Sequence, residues 1–303
     1  MEWSSTPLRV LRAVAEYGSF TAAAGVLGYT QSAVSRQMAA LEHAVGETLF
    51  ERGAAGVRLT PAGRVLLRGA SVALDEIDRA AQSIRTGERI ETVVRLGMFF
   101  SAAPVLVPEM LALVRQRAPH IRIVTREGST PSLTRSLRAG TLDLAVLGAQ
   151  PPYPPPDAED PPLELEVLLE GELAVAVAED SDLGRDGTVT IAELATMPWV
   201  SSTEGVADPA FGVWPALPRR PEIAHRTRDW LSKLTLVAKG YGITTVPPYL
   251  ASVLPGAVRL VRVVDGVSVT RRASLARMPA TTNQAVQVVS ACLHEVARNL
   301  PTL

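Results

Sequence analysis

The chain of 303 residues has a mass of 32.3 kDa, which is enough for two or three domains that each bury a core. Hydrophobic residues make up 47% of it and charged residues 20%, and this balance excludes a disordered or collagen-like chain. Because the formal net charge is −1, any contact with nucleic acid must come from a local patch and from shape.

The single cysteine, Cys292, excludes a disulfide framework, a four-cysteine zinc site and a two-cysteine redox switch within one chain. The N-terminus lacks the basic start and apolar run of a signal peptide. No uninterrupted apolar segment approaches the ~20 residues that a membrane-spanning helix requires. We therefore expect a cytoplasmic protein with no membrane partner, no metal site and no cofactor.

Three helical patterns separated by short turns lie within residues 8 to 60. The first pattern ends at Gly18, and Ser19 can cap a second helix that ends at Leu27. Thr30 can cap a third helix, which runs to about Val45. This layout predicts a helix-turn-helix domain that binds DNA.

The third helix has two different sides. Its aliphatic residues recur at helical spacing and predict a stripe that faces the core, formed by Val34, Met38, Leu41 and Val45. The opposite side carries short polar side chains and one arginine, which can enter a major groove and reach base edges. These residues are Gln31, Ser32, Ser35, Arg36, Ala39 and His43. Taken alone, they are equally typical of an ordinary solvated face.

A hairpin is predicted directly after the third helix. Leu49–Arg52 and Val57–Leu59 have the character of short strands, and residues 53–56 form the turn between them. A hairpin that follows a helix-turn-helix is a wing. Arg52 and Arg58 flank its tip, where they can meet phosphates or a narrow minor groove, although arginines that only solvate the hairpin are the alternative.

The same segments closely resemble the LysR-type transcriptional regulators. The resemblance rests on Ser19–Ala24, Leu27, Gln31–Met38, Leu41, Glu42, Gly46, Leu49–Arg52 and Leu59–Gly63. It implies a winged helix-turn-helix, a long linker helix and a two-lobed effector domain similar to periplasmic binding proteins. The wing tip departs from the family, because Ala54 and Ala55 occupy positions where arginine is usual. The DNA-contacting residues expected from the side chains and the resemblance together are Thr30, Gln31, Ser32, Ser35, Arg36, Gln37, Arg52 and Arg58.

A long helix is predicted from Pro61, with Thr60 as its cap. Apolar residues step along it as a heptad seam, formed by Leu66, Ala70, Ala73, Ile77, Ala80 and Ile84. Such a seam requires a partner helix. Packing against the same chain is one alternative, and the family favours pairing with a second subunit, which gives a dimer or a tetramer.

From Val93, strands alternate with helices, which predicts an α/β fold with a largely parallel sheet. Residues 151–162 hold seven prolines and are predicted to form a surface loop. We expect three parts: residues 1–60 as the winged helix-turn-helix, 61–91 as the linker helix and 92–303 as the effector domain. Within the effector domain, lobe I is expected at 92–166 and 268–303, and lobe II at 167–267.

Two crossings between the lobes predict a cleft that binds a small effector, with an organic anion as one candidate. In parallel α/β sheets, ligands bind at the carboxyl ends of strands and at helix N-termini. Arg126 and Arg226 are further candidates for pairing with a carboxylate. The effector-binding residues expected on this basis are Phe100, Ser101, Ser129, Thr130, Ser201, Ser202, Thr203, Gly242 and Ile243, although each alone is as typical of a cap or a core residue.

The predicted function is a sequence-specific transcriptional regulator of the LysR type, whose DNA binding or activation changes allosterically when a small molecule occupies the cleft. The main alternative is a two-lobed enzyme that processes a small molecule and carries an accessory helical domain. The sequence has no nucleophile elbow, phosphate loop or zinc-binding helix motif, and its four histidines are scattered. We therefore do not expect an enzyme.

Overall fold

The computed structural model describes residues 4–53, 56–86, 92–202, 212–215, 217–227, 229–266, 268–279 and 283–300. The N-terminal domain begins with three helices, α1 (Ser5–Tyr17), α2 (Phe20–Leu27) and α3 (Gln31–Val45). The hydroxyl of Ser19 accepts a hydrogen bond from the backbone N–H of Ala22, and that of Thr30 accepts one from Ala33. Both predicted caps are therefore confirmed.

A hairpin and a long helix complete this domain. Strands β1 (Phe50–Gly53) and β2 (Gly56–Leu59) pair antiparallel, and α4 (Pro61–Thr86) follows them. The predicted wing is thus confirmed. Side chains from α1, α2, α3 and α4 meet in one core, which includes Leu11, Ala23, Met38 and Leu74. This packing orients α3 with its aliphatic side inward.

Helix α4 lies against its own chain on one side. Leu67, Ala70 and Leu74 are buried in the core of the N-terminal domain. Asp78 accepts hydrogen bonds from Arg9 of α1, which hold the pKa of Asp78 below its ordinary value. The linker helix and α1 are therefore joined by both apolar and charged contacts.

The effector half has a longer series of elements. In chain order these are β3 (Thr92–Met98), α5 (Ala103–Arg117), β4 (Ile121–Glu127), α6 (Thr130–Arg138), β5 (Leu144–Ala149), β6 (Glu164–Glu172), β7 (Ala174–Ala178), β8 (Thr188–Val189), α7 (Ile191–Leu194), β9 (Pro198–Ser201), β10 (Glu222–Arg226), α8 (Trp230–Ala238), β11 (Thr244–Val246), a 3-10 helix (Pro248–Val253), β12 (Val258–Val263), β13 (Thr270–Arg277) and α9 (Gln284–Asn299).

The strands form two main sheets, one for each lobe. The first sheet has the order β4-β3-β5-β13-β6, with β3 parallel to β4 and β5 and with β13 antiparallel to both of its neighbours. The second sheet has the order β11-β7-β12-β8, and the parallel pair of β9 and β10 adjoins it through a bridge between Trp199 and Ile243. The predicted α/β class is confirmed.

The chain passes between the two sheets twice. Strand β6 stays in the first sheet up to Glu172, because it pairs with β13 along its whole length. The boundary that we predicted at residue 167 therefore falls inside β6, and the outward crossing occurs at Leu173. The return crossing lies between the end of β12 and Thr270. These two connections place the effector cleft between the lobes.

Candidate DNA-binding surface and effector cleft

Helix α3 presents its polar side to solvent. Gln31, Ser32 and Arg36 are exposed, whereas Val34 and Met38 on the opposite side are buried. The amide of Gln31 donates a hydrogen bond to the hydroxyl of Ser35, with an N–O distance of 2.9 Å. This bond holds two of the predicted reading side chains in a fixed relation at the start of the helix.

The neighbouring predicted residues share this end of α3. The hydroxyls of Thr30 and Ser32 are 3.1 Å apart and form a hydrogen bond, and Gln37 is half-buried. The positive end of the helix dipole lies here, and the first turn contains no acidic residue. Glu42, the acid of this helix, instead accepts a hydrogen bond from the backbone N–H of Leu49. The polar edge is thus free of negative charge where it would meet phosphates.

The wing is held by a contact that the sequence did not predict. The guanidinium of Arg58 donates a hydrogen bond of 2.8 Å to the carboxylate of Glu159, and this bond raises the pKa of Arg58. Glu159 belongs to the proline-rich segment of the effector domain. Arg52 is on β1, but its side chain lies outside the described structure, as do Ala54 and Ala55 at the wing tip.

Three of the predicted hydroxyl side chains belong to lobe I. Ser101 is buried and lies within hydrogen-bonding reach of Tyr249, whose pKa burial raises to about 12. The hydroxyl of Thr130 bonds with both the N–H and the carbonyl oxygen of Gly148. Ser129 is exposed at the start of α6. Three of the predicted residues therefore lie at the carboxyl ends of β3 and β4.

Lobe II contributes a buried lysine. The amino group of Lys233 is fully buried and donates a hydrogen bond of 2.7 Å to the hydroxyl of Ser202. It also lies 5.2 Å from the ring centre of Trp230. The preceding residue, Ser201, is also buried, and the guanidinium of Arg226 is 3.5 Å from the Ser201 hydroxyl. Thr203 lies outside the described residues.

The remaining predicted residues are part of the framework of lobe II. Ile243 is buried and bridges to Trp199 in the lobe's own core. Gly242 has a φ of 151°, and a Cβ atom there would lie 2.9 Å from the carbonyl oxygen of Pro198. The glycine is therefore required by close backbone packing. Any contact of either residue with an effector stays a prediction.

A cleft of about 650 Å³ separates the lobes. Phe100 of lobe I and Trp230 of lobe II both line it and contact each other between the lobes, with ring centres 6.4 Å apart and the ring planes tilted by 57°. The rest of its lining comes from both lobes and includes Pro104, Glu127, Gly128, Asp229, Leu234, Val253 and Pro255. The lining thus combines two aromatic side chains with apolar residues and two acidic ones.

Sequence reasoning missed Trp230, Tyr249 and Lys233. The only local signal was that Lys233 and Lys239 are the chain's sole lysines among 30 basic residues. Arg126, which we expected as a carboxylate partner for the effector, is instead bonded to Glu16 of α1 and to Ser136. Its guanidinium is therefore directed to the N-terminal domain, and the prediction of a role in the cleft was wrong.

Among the described residues, no group of three His, Cys, Asp or Glu side chains is arranged to hold a metal ion. Cys292 is buried on α9, and burial raises its pKa. Among the same residues, no helix combines the length and the apolar character needed to cross a bilayer.

Comparison with known proteins gives two family matches. Residues 6–64 match the bacterial regulatory helix-turn-helix protein family named lysR, and residues 87–298 match the LysR substrate binding domain. The chain is 33% identical to a "Probable hydrogen peroxide-inducible genes activator" of Streptomyces viridosporus, over 98% of this chain and 96% of that protein. It is 30% identical to the uncharacterized HTH-type transcriptional regulator YnfL of Escherichia coli K12, over 85% and 86% of the two chains.

Solved structures share the fold at lower identity. A full-length OxyR from Pseudomonas aeruginosa, in a variant with one cysteine changed to aspartate, has a TM-score of 0.63 at 20% identity, covering 99% of this chain and 96% of that one. CbnR in complex with its target DNA has a TM-score of 0.56 at 22% identity, covering 97% and 100%. Both domains are therefore matched in sequence and in fold, and the chain belongs to the LysR family of transcriptional regulators, which bind DNA, respond to small-molecule effectors and self-associate, and which are not enzymes.

Proposed function

We propose that the polar edge of α3 reads the major groove through Gln31, Ser32, Ser35 and Arg36. The observation that carries this proposal is the division of α3 into a buried aliphatic side and an exposed polar edge without acids. Thr30 and Gln37 extend the edge, and Arg52 and Arg58 are the proposed wing contacts. Because bacterial DNA lies in the cytoplasm, we place the protein's action there.

The test is DNA binding by an Arg36→Ala variant. An arginine that bonds a base edge contributes roughly 1–3 kcal/mol to discrimination. We expect Arg36→Ala to weaken specific binding by that amount, measured by footprinting and gel shift on the DNA upstream of the protein's own gene. Binding to a duplex of unrelated sequence is expected to weaken less.

Arg220→Ala is the matched control, because Arg220 is an exposed arginine of lobe II, far along the chain from α3. It removes the same charge and is expected to leave the footprint unchanged. Equal specific affinity for Arg36→Ala and Arg220→Ala would remove α3 from the reading role.

The proposed effector is a small organic anion with a flat or apolar body. The basic side chains proposed to match its charge are Lys233, whose amino group bonds to the Ser202 hydroxyl, and Arg226, whose guanidinium is 3.5 Å from the Ser201 hydroxyl. The side chains of Phe100 and Trp230 supply apolar surface for the body of the ligand.

Several relatives carry the name of peroxide-inducible activators. For this chain, we propose a ligand that binds without covalent chemistry. A single cysteine cannot form a disulfide within the chain, and the Cys292 thiol is buried with a raised pKa, which disfavours the reactive thiolate.

A further inference from the structure

The proline-rich segment 151–162 contacts the wing, and nothing in the proposed function uses it. One carboxylate oxygen of Glu159 accepts a hydrogen bond from Arg58 of β2 at 2.8 Å, and the other accepts one from Arg64 of α4 at 2.5 Å. A single acid of the effector domain therefore engages two arginines of the DNA-binding half.

Lobe I fixes the position of this acid. Arg138 of α6 bonds both carboxylate oxygens of Asp157, at 3.0 and 2.8 Å, and donates to the carbonyl oxygens of Glu159 and Pro161. The side chain of Arg138 is 10% exposed, so these bonds are largely shielded from water. These bonds thus hold the segment, and with it Glu159, in a fixed position on lobe I.

The two arginines are suited to bind phosphate. A guanidinium recognises carboxylate and phosphate with the same donor geometry. Arg64 also donates to the carbonyl oxygen of Leu59 at 3.0 Å, which fixes it at the root of the wing. Arg58 remains 59% exposed. Both are therefore arranged as a pair around one oxyanion.

The polar edge of α3 and the two arginines at the wing differ in how accessible they are to DNA. The polar edge of α3 is exposed in this arrangement of domains, whereas Arg58 and Arg64 are engaged by Glu159. We propose that Arg58 and Arg64 form a binding pair for DNA backbone phosphate, and that Glu159 occupies this pair as an intramolecular competitor. This inference rests on the proposed DNA-binding function.

The competition is weak enough for DNA to overcome. The side chain of Arg58 is 59% exposed, so water and salt screen its ion pair with Glu159, whereas the side chains of Arg64 and Glu159 are 27% and 21% exposed. A cavity of about 240 Å³ also remains between the wing, α6 and the segment, so the contact is loosely packed. Glu159 is therefore expected to reduce DNA affinity by a modest factor and not to abolish it.

The test measures binding of the full-length protein to a labelled short duplex of mixed sequence, because phosphate contacts do not depend on base sequence. Glu159→Gln is expected to bind roughly 3- to 10-fold more tightly than the control Glu179→Gln. Glu179 is an exposed acid of lobe II with no ion pair to any described residue, so the control removes the same charge elsewhere.

Substitution of the two arginines tests whether the tighter DNA binding of Glu159→Gln depends on them. The double variant Arg58→Ala, Arg64→Ala is expected to bind DNA more weakly. The slope of log affinity against log salt concentration is expected to become less steep by roughly 1 to 2. Adding Glu159→Gln to this double variant is expected to produce no further gain. A purely structural role for Glu159 would not produce this dependence on the two arginines.

The outcomes are distinct. Equal affinities for Glu159→Gln and Glu179→Gln, with normal binding by the wild type, would overturn the inference alone. So would a gain that persists without the two arginines. Failure of the folded wild type to bind any duplex would contradict the proposed function itself, and the competition with it. Thermal unfolding of each variant confirms that it is folded.

Discussion

At the scale of single residues, the surroundings of Cys292 differ from those that a thiol-based peroxide sensor requires. Its side chain is 1% exposed on α9, where it packs in the core of lobe I. Peroxide reacts with the thiolate, and a buried thiol whose pKa is raised holds little thiolate at neutral pH. The chain also has no second cysteine to resolve a sulfenic acid.

We therefore expect dilute hydrogen peroxide to leave DNA binding unchanged, in the wild type and in Cys292→Ala alike. Gel shifts after brief exposure, with mass spectrometry of the Cys292 peptide, measure this. The six methionines can also oxidise, and the Cys292→Ala variant separates their effect from that of the thiol. A peroxide response that is present in the wild type and absent from Cys292→Ala would contradict the expectation.

Local chemistry explains which residues could be predicted. The caps at Ser19 and Thr30 depend on neighbours three positions away, so the sequence contains their whole cause. The bond between Arg58 and Glu159 joins residues 101 positions apart, and no local pattern encodes it. The same holds for Arg126 and Glu16. The positions of the hydroxyl residues at strand ends could be predicted from the order of strands and helices. The position of Lys233 could not, because it depends on how α8 packs.

At the scale of elements, the apolar residues of α4 form two sets. One is covered by the chain itself, through Leu67, Ala70 and Leu74. The other is not, because Ile77 is 51% exposed and Ile84 is 84% exposed. Packing within the chain, the alternative that the sequence left open, thus explains only part of the heptad seam. We propose that the exposed part pairs with a second subunit.

Ile77→Lys is expected to weaken self-association by more than about tenfold. Burial of an isoleucine contributes roughly 1.5–3 kcal/mol, and a symmetric interface loses this contribution from both subunits. Analytical ultracentrifugation across a concentration series measures the change. Val264→Lys places the same charge on an exposed apolar residue of lobe II and is the control. Unaltered assembly of Ile77→Lys would remove the seam from the interface.

At the scale of the whole molecule, effector and DNA sites are joined through lobe I. Helix α6 begins two residues after Gly128 of the cleft lining and bonds to Glu16 of α1 through Arg135 and Ser136, and Arg126 of β4 bonds to the same Glu16. The proline-rich segment begins beside the interlobe connections, where the ring of Tyr153 lies 3.7 Å from the guanidinium of Arg272. Both elements therefore touch the effector cleft or its hinge at one end and the DNA-binding half at the other.

The charge of the effector is testable on the intact protein. A ligand that binds only the folded state raises the unfolding temperature by mass action. We expect small aromatic carboxylates to raise it more than the corresponding neutral amides, because a hydrogen bond to a charged group contributes about 1.5–3 kcal/mol. Thermal-shift measurements on matched acid and amide pairs give the comparison.

Lys233→Met should remove this preference for the acid, since it replaces the buried amino group with an apolar chain of similar length. Lys239→Met changes the only other lysine, which is exposed at the end of α8, and should retain the preference. The Lys233 amino group lies 5.2 Å from the ring centre of Trp230, which lines the cleft, so we expect a charge on this group to act on a ligand between the lobes. Equal shifts with acids and amides in the wild type would show that the cleft selects for shape and not for negative charge.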